Sequence, residues 1–285
     1  MKPKTRHEMF GQSPDEMWKI WLTEGNEAYF RIAPPIPRIL TKISYSIFHA
    51  IPSDPRCVSC YAPFQGPGAP IMRALGRERS QYSPSLCEGC ENQAKKFGAR
   101  AEVPVTMLFA DMRGSTTVAE EMDPREFSSL ISKFYSTSTR ILGDSGALID
   151  KLIGDEISGY WVPGIAGPEH PRLGYESAME ILKKTGHLDG GDPWIPVGIG
   201  VHTGMGVVGA VGKGDGMTDI TVLGDTANTA ARLASNAKVG EILFSDEIAR
   251  EANIDTQSMK MRKLKLKGKS KSVDTWTFSS SKVQD

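Results

Sequence analysis

Two apolar runs and the polar breaks that end them set the frame of this chain. Val105-Thr106-Met107-Leu108-Phe109-Ala110 has strand length and stops on a carboxylate, Asp111. Residues 147–153 form a second, largely apolar run that carries one lysine, Lys151, and breaks at Gly154-Asp155-Glu156. Apolar residues resume from Ile157 to Trp161, which predicts a hairpin. Between the runs, Arg113-Gly114-Ser115-Thr116 reads as a turn, and Asp123-Pro124 as the cap and first position of a helix reaching about Leu142. Downstream the pattern predicts a helix over 172–185 and two strands, 194–202 and 205–211, with Thr203-Gly204 between them. A short strand at 220–223, a helix over 225–237 and a strand at 241–244 follow. A helical turn at 246–251 and closing strands at 259–266 and 273–278 complete the series. The sum is α+β: a mostly antiparallel sheet with helices on one side.

Upstream the pattern is poorer. Residues 1–56 read as a helical segment. Ser13 and Pro14 are a good N-cap and first position, and Pro34, Pro35 and Pro37 interrupt whatever precedes them. Ile39, Leu40, Ile43, Ile47 and Phe48 then recur at helical spacing. This second stretch suits a helix packed on its own chain or on a second subunit. A membrane-surface role fits less well, because its polar face carries little Lys or Arg. Residues 57–90 form a cysteine module, 91–102 a helical linker, 103–278 the main domain and 279–285 a tail.

Composition narrows the class without naming a partner. The 285 residues carry 34 Lys and Arg against 34 Asp and Glu, a net charge of zero. No run approaches the roughly 18 apolar residues of a membrane span, and no apolar stretch follows the basic first residues as in a secretory signal. A cytoplasmic protein is expected. The four cysteines fall in two Cys-x-x-Cys pairs, Cys57/Cys60 and Cys87/Cys90, around a Gly- and Pro-rich stretch, residues 63–70. That arrangement points to a metal site in a reducing compartment rather than a disulfide framework. Structural Zn²⁺ is the first reading; an iron–sulfur cluster or a redox dithiol uses the same ligands. A segment so poor in apolar residues would draw much of its stability from the metal.

The two acidic breaks carry the chemistry. Divalent Mg²⁺ takes one or two carboxylates from protein and its other ligands from phosphates and water. If the strands before Asp111 and Asp155 are neighbours, both carboxylates emerge at one edge and can hold two metal ions on a polyphosphate. The amides of residues 112–116, at a helix start, could cradle phosphate oxygens. Taken singly, each aspartate is better explained as a helix cap or a hairpin-turn residue. Gly204-x-Gly206-x-x-Gly209 spells a dinucleotide fingerprint, but no helix follows it, and Gly212-Lys213 lacks the hydroxyl of a P-loop. The basic run 260–271 suggests a nucleic-acid surface. Its alternation reads as a strand instead, and no aromatic platform accompanies it.

Read together, four segments are no longer anonymous. They are Phe109-Ala110-Asp111-Met112-Arg113-Gly114-Ser115-Thr116, Lys151-Leu152-Ile153-Gly154-Asp155, residues 197–204, and Leu223-Gly224-Asp225-Thr226-Ala227-Asn228-Thr229-Ala230-Ala231-Arg232-Leu233. In this order, over about residues 103–278, the chain resembles the class III adenylate/guanylate cyclase catalytic domain. The resemblance implies a ferredoxin-like core acting as a homodimer, with composite active sites between subunits. It implies two Mg²⁺ or Mn²⁺ ions per site on Asp111 and Asp155, with the backbone of Met112 contributing. Lys151 and Thr221 match the base-reading positions, and a lysine there suits adenine, hence ATP. Asn228 and Arg232 match the transition-state pair, and Lys267 a lysine that holds the terminal phosphates. The implied reaction is ATP to 3′,5′-cyclic AMP and pyrophosphate. Guanylate cyclase is the alternative, as is a catalytically weak homologue serving as a metal- or redox-responsive regulatory module. The cysteine module is similar to segments preceding some bacterial cyclase domains.

Overall fold

The computed structural model describes residues 13–32, 46–48, 55–80, 83–190, 192–212, 219–265 and 272–280. Lys267, the end of the basic run and most of the stretch from Ile39 to Ile51 lie outside them. The chain divides into two compact units: the described parts of Met1–Pro104 with Val162–Gly167 and Val207–Val222, and Val105–Trp161 with Pro168–Gly206 and Leu223–Asp285.

In the first unit, α1 spans Pro14–Ile32, α2 Ala69–Ala74 and α3 Glu88–Phe97. The Ser13 hydroxyl accepts from the Glu16 amide at 3.2 Å, and the Glu16 carboxylate accepts from the Ser13 amide at 2.7 Å, a reciprocal cap. α1 runs through a non-helical Gly25 with φ +80°. A Cβ at Gly25 would collide with the Gly164 carbonyl. Gly164 lies in the short helix α6 (Pro163–Ala166), so α1 docks backbone to backbone there. α3 ends at Gly98 in the left-handed conformation, φ +60°. Strand β1, Arg100–Met112, begins two residues later, where the Arg100 amide donates to Asp15 Oδ1 at 2.9 Å.

The second unit holds most of the sheet. α4 (Ser115–Glu121) and α5 (Pro124–Asp144) follow β1, then β2 (Leu148–Ile153) and β3 (Glu156–Trp161). Next come α7 (His170–Lys184), β4 (Val197–Val211), β5 (Asp219–Leu223) and α8 (Asp225–Asn236). β6 (Glu241–Ser245), α9 (Asp246–Glu251), β7 (Lys260–Leu264) and β8 (Val273–Ser279) close the chain. The strand order is β2-β3-β1-β4-β6-β8-β7, with β5 paired to β4. β4 and β6 run parallel, while β1/β3, β2/β3, β6/β8 and β7/β8 are antiparallel. This is the expected α+β architecture with an open sheet.

Three details differ from the sequence reading. The neighbour of β1 is β3, the second arm of the hairpin, and not β2. Residues 197–211 form one strand rather than two. Thr203-Gly204 is no turn: the Thr203 hydroxyl accepts from Thr106 Oγ1 at 3.0 Å and donates to the Val105 carbonyl at 3.4 Å. Gly204 leaves room for Thr226, whose Oγ1 would stand 2.9 Å from a Cβ there. Finally, helices cover both faces of the sheet. Val201 and Phe244 meet α7, through Gly174 and Tyr175 respectively. Gly200 and Leu243, one residue earlier on the same two strands, face α8. A Cβ at Gly200 would collide with the Ala234 amide and the Ala230 carbonyl, so the missing side chain seats α8 on the strand.

A buried polar chain ties α7, β1 and β4. Because the Thr106 hydroxyl donates to Thr203, it must accept from His170 Nδ1, 2.8 Å away, which assigns the proton to that nitrogen.

Candidate nucleotide and metal site

Antiparallel pairing of β1 with β3 runs from Thr106 opposite Trp161 to Asp111 opposite Glu156. The next rung closes the pair: the Met112 amide donates to the Asp155 carbonyl at 3.3 Å. Asp111 and Asp155 therefore leave adjoining strands at the same end, one rung apart. Gly154, at φ +62°, makes the tight turn that delivers Asp155 there. With its amide engaged, Met112 has its carbonyl as the remaining backbone donor for a cation.

The electrostatics of this corner fit a divalent ion. Glu156 is pushed above the ordinary carboxylate range by burial, by the charge of Asp155 and by Asp150, against the opposing pull of Arg113. Arg113 forms an ion pair with Asp111 and is pulled down by burial, while Asp155 and Glu156 favour its charge. Negative charge thus accumulates on Asp111, Asp155 and Glu156, and the chain brings a guanidinium into it. Two hard carboxylates and a carbonyl are the donor types such an ion prefers. The expected phosphate cradle is only partly available. The Met112 amide is spent on Asp155 and the Arg113 amide on the Pro196 carbonyl at 2.8 Å. α4 starts at Gly114 without a side-chain cap.

The remaining predicted residues are distributed as follows. Lys151 is exposed on β2 opposite Ser158, after a register shift between Ile149 and Lys151. That shift goes with burial of the adjacent Asp150, which accepts from the Ser158 hydroxyl at 3.2 Å. Thr221 is buried on β5, in the first unit. Asn228 and Arg232 lie one turn apart on α8, Asn228 exposed and Arg232 half-buried. Arg113 Nη1 donates to the Ser235 carbonyl at 3.4 Å, linking the acidic corner to the end of that helix.

Sequence reasoning missed Tyr135. From the middle of α5 its hydroxyl donates to the Gly154 carbonyl at 2.8 Å, bracing the turn that presents Asp155. Burial raises its pKa, making the phenol a weaker acid, with Asp155 and Glu156 adding to the shift. Nothing in the local pattern separates Tyr135 from any aromatic on an amphipathic helix. Glu156 did carry a signal, its place next to Asp155.

The four cysteines converge at a separate place, within the first unit. Their sulfur atoms all lie within 4.8 Å of one another, and none is in a disulfide.

Among solved structures, the fold is similar to the adenylyl cyclase CyaB from P. aeruginosa. The identity is 24% over 65% of this chain and 99% of that one, with a TM-score of 0.55. The guanylyl cyclase Cya2 gives 26% identity over 63% of this chain and 92% of that one, also at 0.55. An adenylate cyclase of Anabaena cylindrica is 31% identical over 57% of this chain and 33% of its own length. A receptor-type guanylate cyclase of Caenorhabditis elegans is 31% identical over 50% of this chain and 14% of its own. The chain thus spans about a third or less of the length of these two curated relatives. Residues 98–280, most of the 285, match the adenylate and guanylate cyclase catalytic domain, and the chain belongs to this class III cyclase family.

Proposed function

We propose that the protein is an adenylate cyclase, forming 3′,5′-cyclic AMP and pyrophosphate from ATP at sites shared between two copies of the chain. The observation that carries the metal half of this reading is the one-rung offset between Asp111 and Asp155. Two Mg²⁺ or Mn²⁺ ions bound there would make the ribose 3′-hydroxyl more acidic and neutralise phosphate charge. Asp111 and Asp155, with the Met112 carbonyl, hold the polyphosphate through those ions. Lys151 donates to the ring acceptor of adenine, and Thr221 is the second base contact. Asn228 orients the ribose, and Arg232 meets the charge that builds on the α-phosphate as the bond to the leaving pyrophosphate breaks. Lys267 holds the terminal phosphates.

The choice of base rests on Lys151, since adenylate and guanylate cyclases match this chain at equal identity. Guanylate cyclase is therefore the second reading. In the shared-site arrangement, base and transition-state residues come from the copy opposite the metal aspartates. Asp155→Ala and Asn228→Ala proteins, each inactive alone, recover activity when mixed. Equal mixing makes half the dimers mixed with one intact site each, about a quarter of wild-type turnover. No recovery in a mixture shown to exchange subunits contradicts the shared site.

A further inference from the structure

The cysteine cluster is tighter than an iron–sulfur cluster allows. Thiolates on one tetrahedral ion, about 2.3 Å from the metal, stand about 3.8 Å apart. Cys60 and Cys87 sulfurs are 3.6 Å apart, and all four lie within 4.8 Å of one another. A cluster interposes two or four irons and their bridging sulfides, which spreads the same four ligands wider. The Cys87 amide also donates to Cys57 Sγ at 3.3 Å, so backbone as well as side chains converge on sulfur.

A second observation concerns charge. Arg77 is half-buried, and its Nη1 lies 3.5 Å from Cys90 Sγ and 3.9 Å from Cys87 Sγ. Its stem crosses the second Cys-x-x-Cys pair at Gly89, where an added Cβ would stand 3.4 Å from Arg77 Cδ and from the Gly76 carbonyl. Four thiolates around a divalent ion carry a net charge of −2, and a guanidinium donating to two of the sulfurs offsets half of it. Nearby Glu91, buried one residue after Cys90, accepts from Ser80 and Ser83 and pairs with Lys95 at 2.7 Å. That network fixes the loop on the helix and leaves Arg77 to the sulfurs.

We propose that Cys57, Cys60, Cys87 and Cys90 bind one tetrahedral divalent ion of the zinc type, and that Arg77 is the counter-charge built into that site. Arg77 is a positioning residue that acts on the metal through Cys87 and Cys90. The site is independent of the nucleotide reading, and its test does not use turnover. Full-length protein purified without chelators is analysed for metals and acid-labile sulfide, then exchanged with Co²⁺ for absorption spectroscopy. One zinc per chain, no labile sulfide and the charge-transfer and ligand-field bands of tetrahedral tetrathiolate cobalt are expected. Two or four irons with matching sulfide, or no metal retained at saturating zinc, overturns the site.

Zinc affinity, read by chelator competition, tests the arginine. Arg77→Met weakens it about 10–100-fold, as loss of an outer-shell partner does, and Arg77→Lys recovers part of the loss. Arg77→Gln, which keeps N–H donors without charge, covers the case of a Met variant that does not fold. Unchanged affinity in the folded variant overturns the counter-charge role and leaves the ion in place.

Discussion

The amide of Met112 donates to the carbonyl of Asp155 at 3.3 Å, a bond between the last residue of one strand and the turn before another. That bond holds the backbones of Asp111 and Asp155 one rung apart although 43 residues lie between them in the chain. The corner is then completed by charge rather than by packing. Arg113 answers Asp111, and burial, together with the charge of Asp155, makes Glu156 hold its proton more tightly.

If Lys151 reads the base, its sign matters more than its size. Lys151→Glu should exchange a donor for an acceptor and lower kcat/KM for ATP relative to GTP by about 100-fold or more. Competition between the two nucleotides at fixed Mn²⁺ measures this directly. An unaltered ratio removes the adenine assignment and leaves the metal site untouched.

Tyr135 should matter for metal and little for stability. Tyr135→Phe removes the hydrogen bond to Gly154 and loosens the turn that carries Asp155. The Mn²⁺ concentration for half-maximal binding, followed by electron paramagnetic resonance, should rise about 10-fold. The melting temperature should stay close to that of wild type. A fall in stability with unchanged Mn²⁺ affinity would make Tyr135 a packing residue only.

Acid should weaken the second unit through His170. Burial lowers this histidine from 6.5 to about 4 in the folded chain. The unfolded chain therefore takes up the proton first as pH falls. The stability His170 contributes is intact above about 6.5 and drains away between there and about 4, on the order of 1–3 kcal/mol. His187, also lowered by burial, acts in the same direction. Denaturation of wild type and His170→Gln across this window should show a shallower pH slope in the variant. Equal slopes contradict the assignment.

Much of the candidate site was legible because the residues proposed for it sit where patterns break. Asp111 and Asp155 each interrupt an apolar run, and the cysteines keep metal-ligand spacing. What stayed hidden depends on partners distant in sequence. Thr203-Gly204 looks like a turn locally, yet Thr203 is held inside the sheet by Thr106 and the Val105 carbonyl. Periodicity shows that a helix has one buried face but not which side of the sheet receives it. Gly200 decides that for α8, because Ala230 and Ala234 reach the strand only where no Cβ stands. Arg113 and Tyr135 serve the acidic corner through contacts that no spacing rule encodes.

Turnover of ATP and GTP by the purified full-length chain with Mn²⁺ tests the central claim most directly, with Asp111→Asn and Asp155→Asn proteins alongside. The account predicts cyclic AMP as the main product. It also predicts that each substitution lowers turnover at least about 100-fold while the zinc content of the cysteine site is unchanged. Wild-type rates in either variant, or no cyclic nucleotide from ATP or GTP by a folded, metal-loaded dimer, would contradict it.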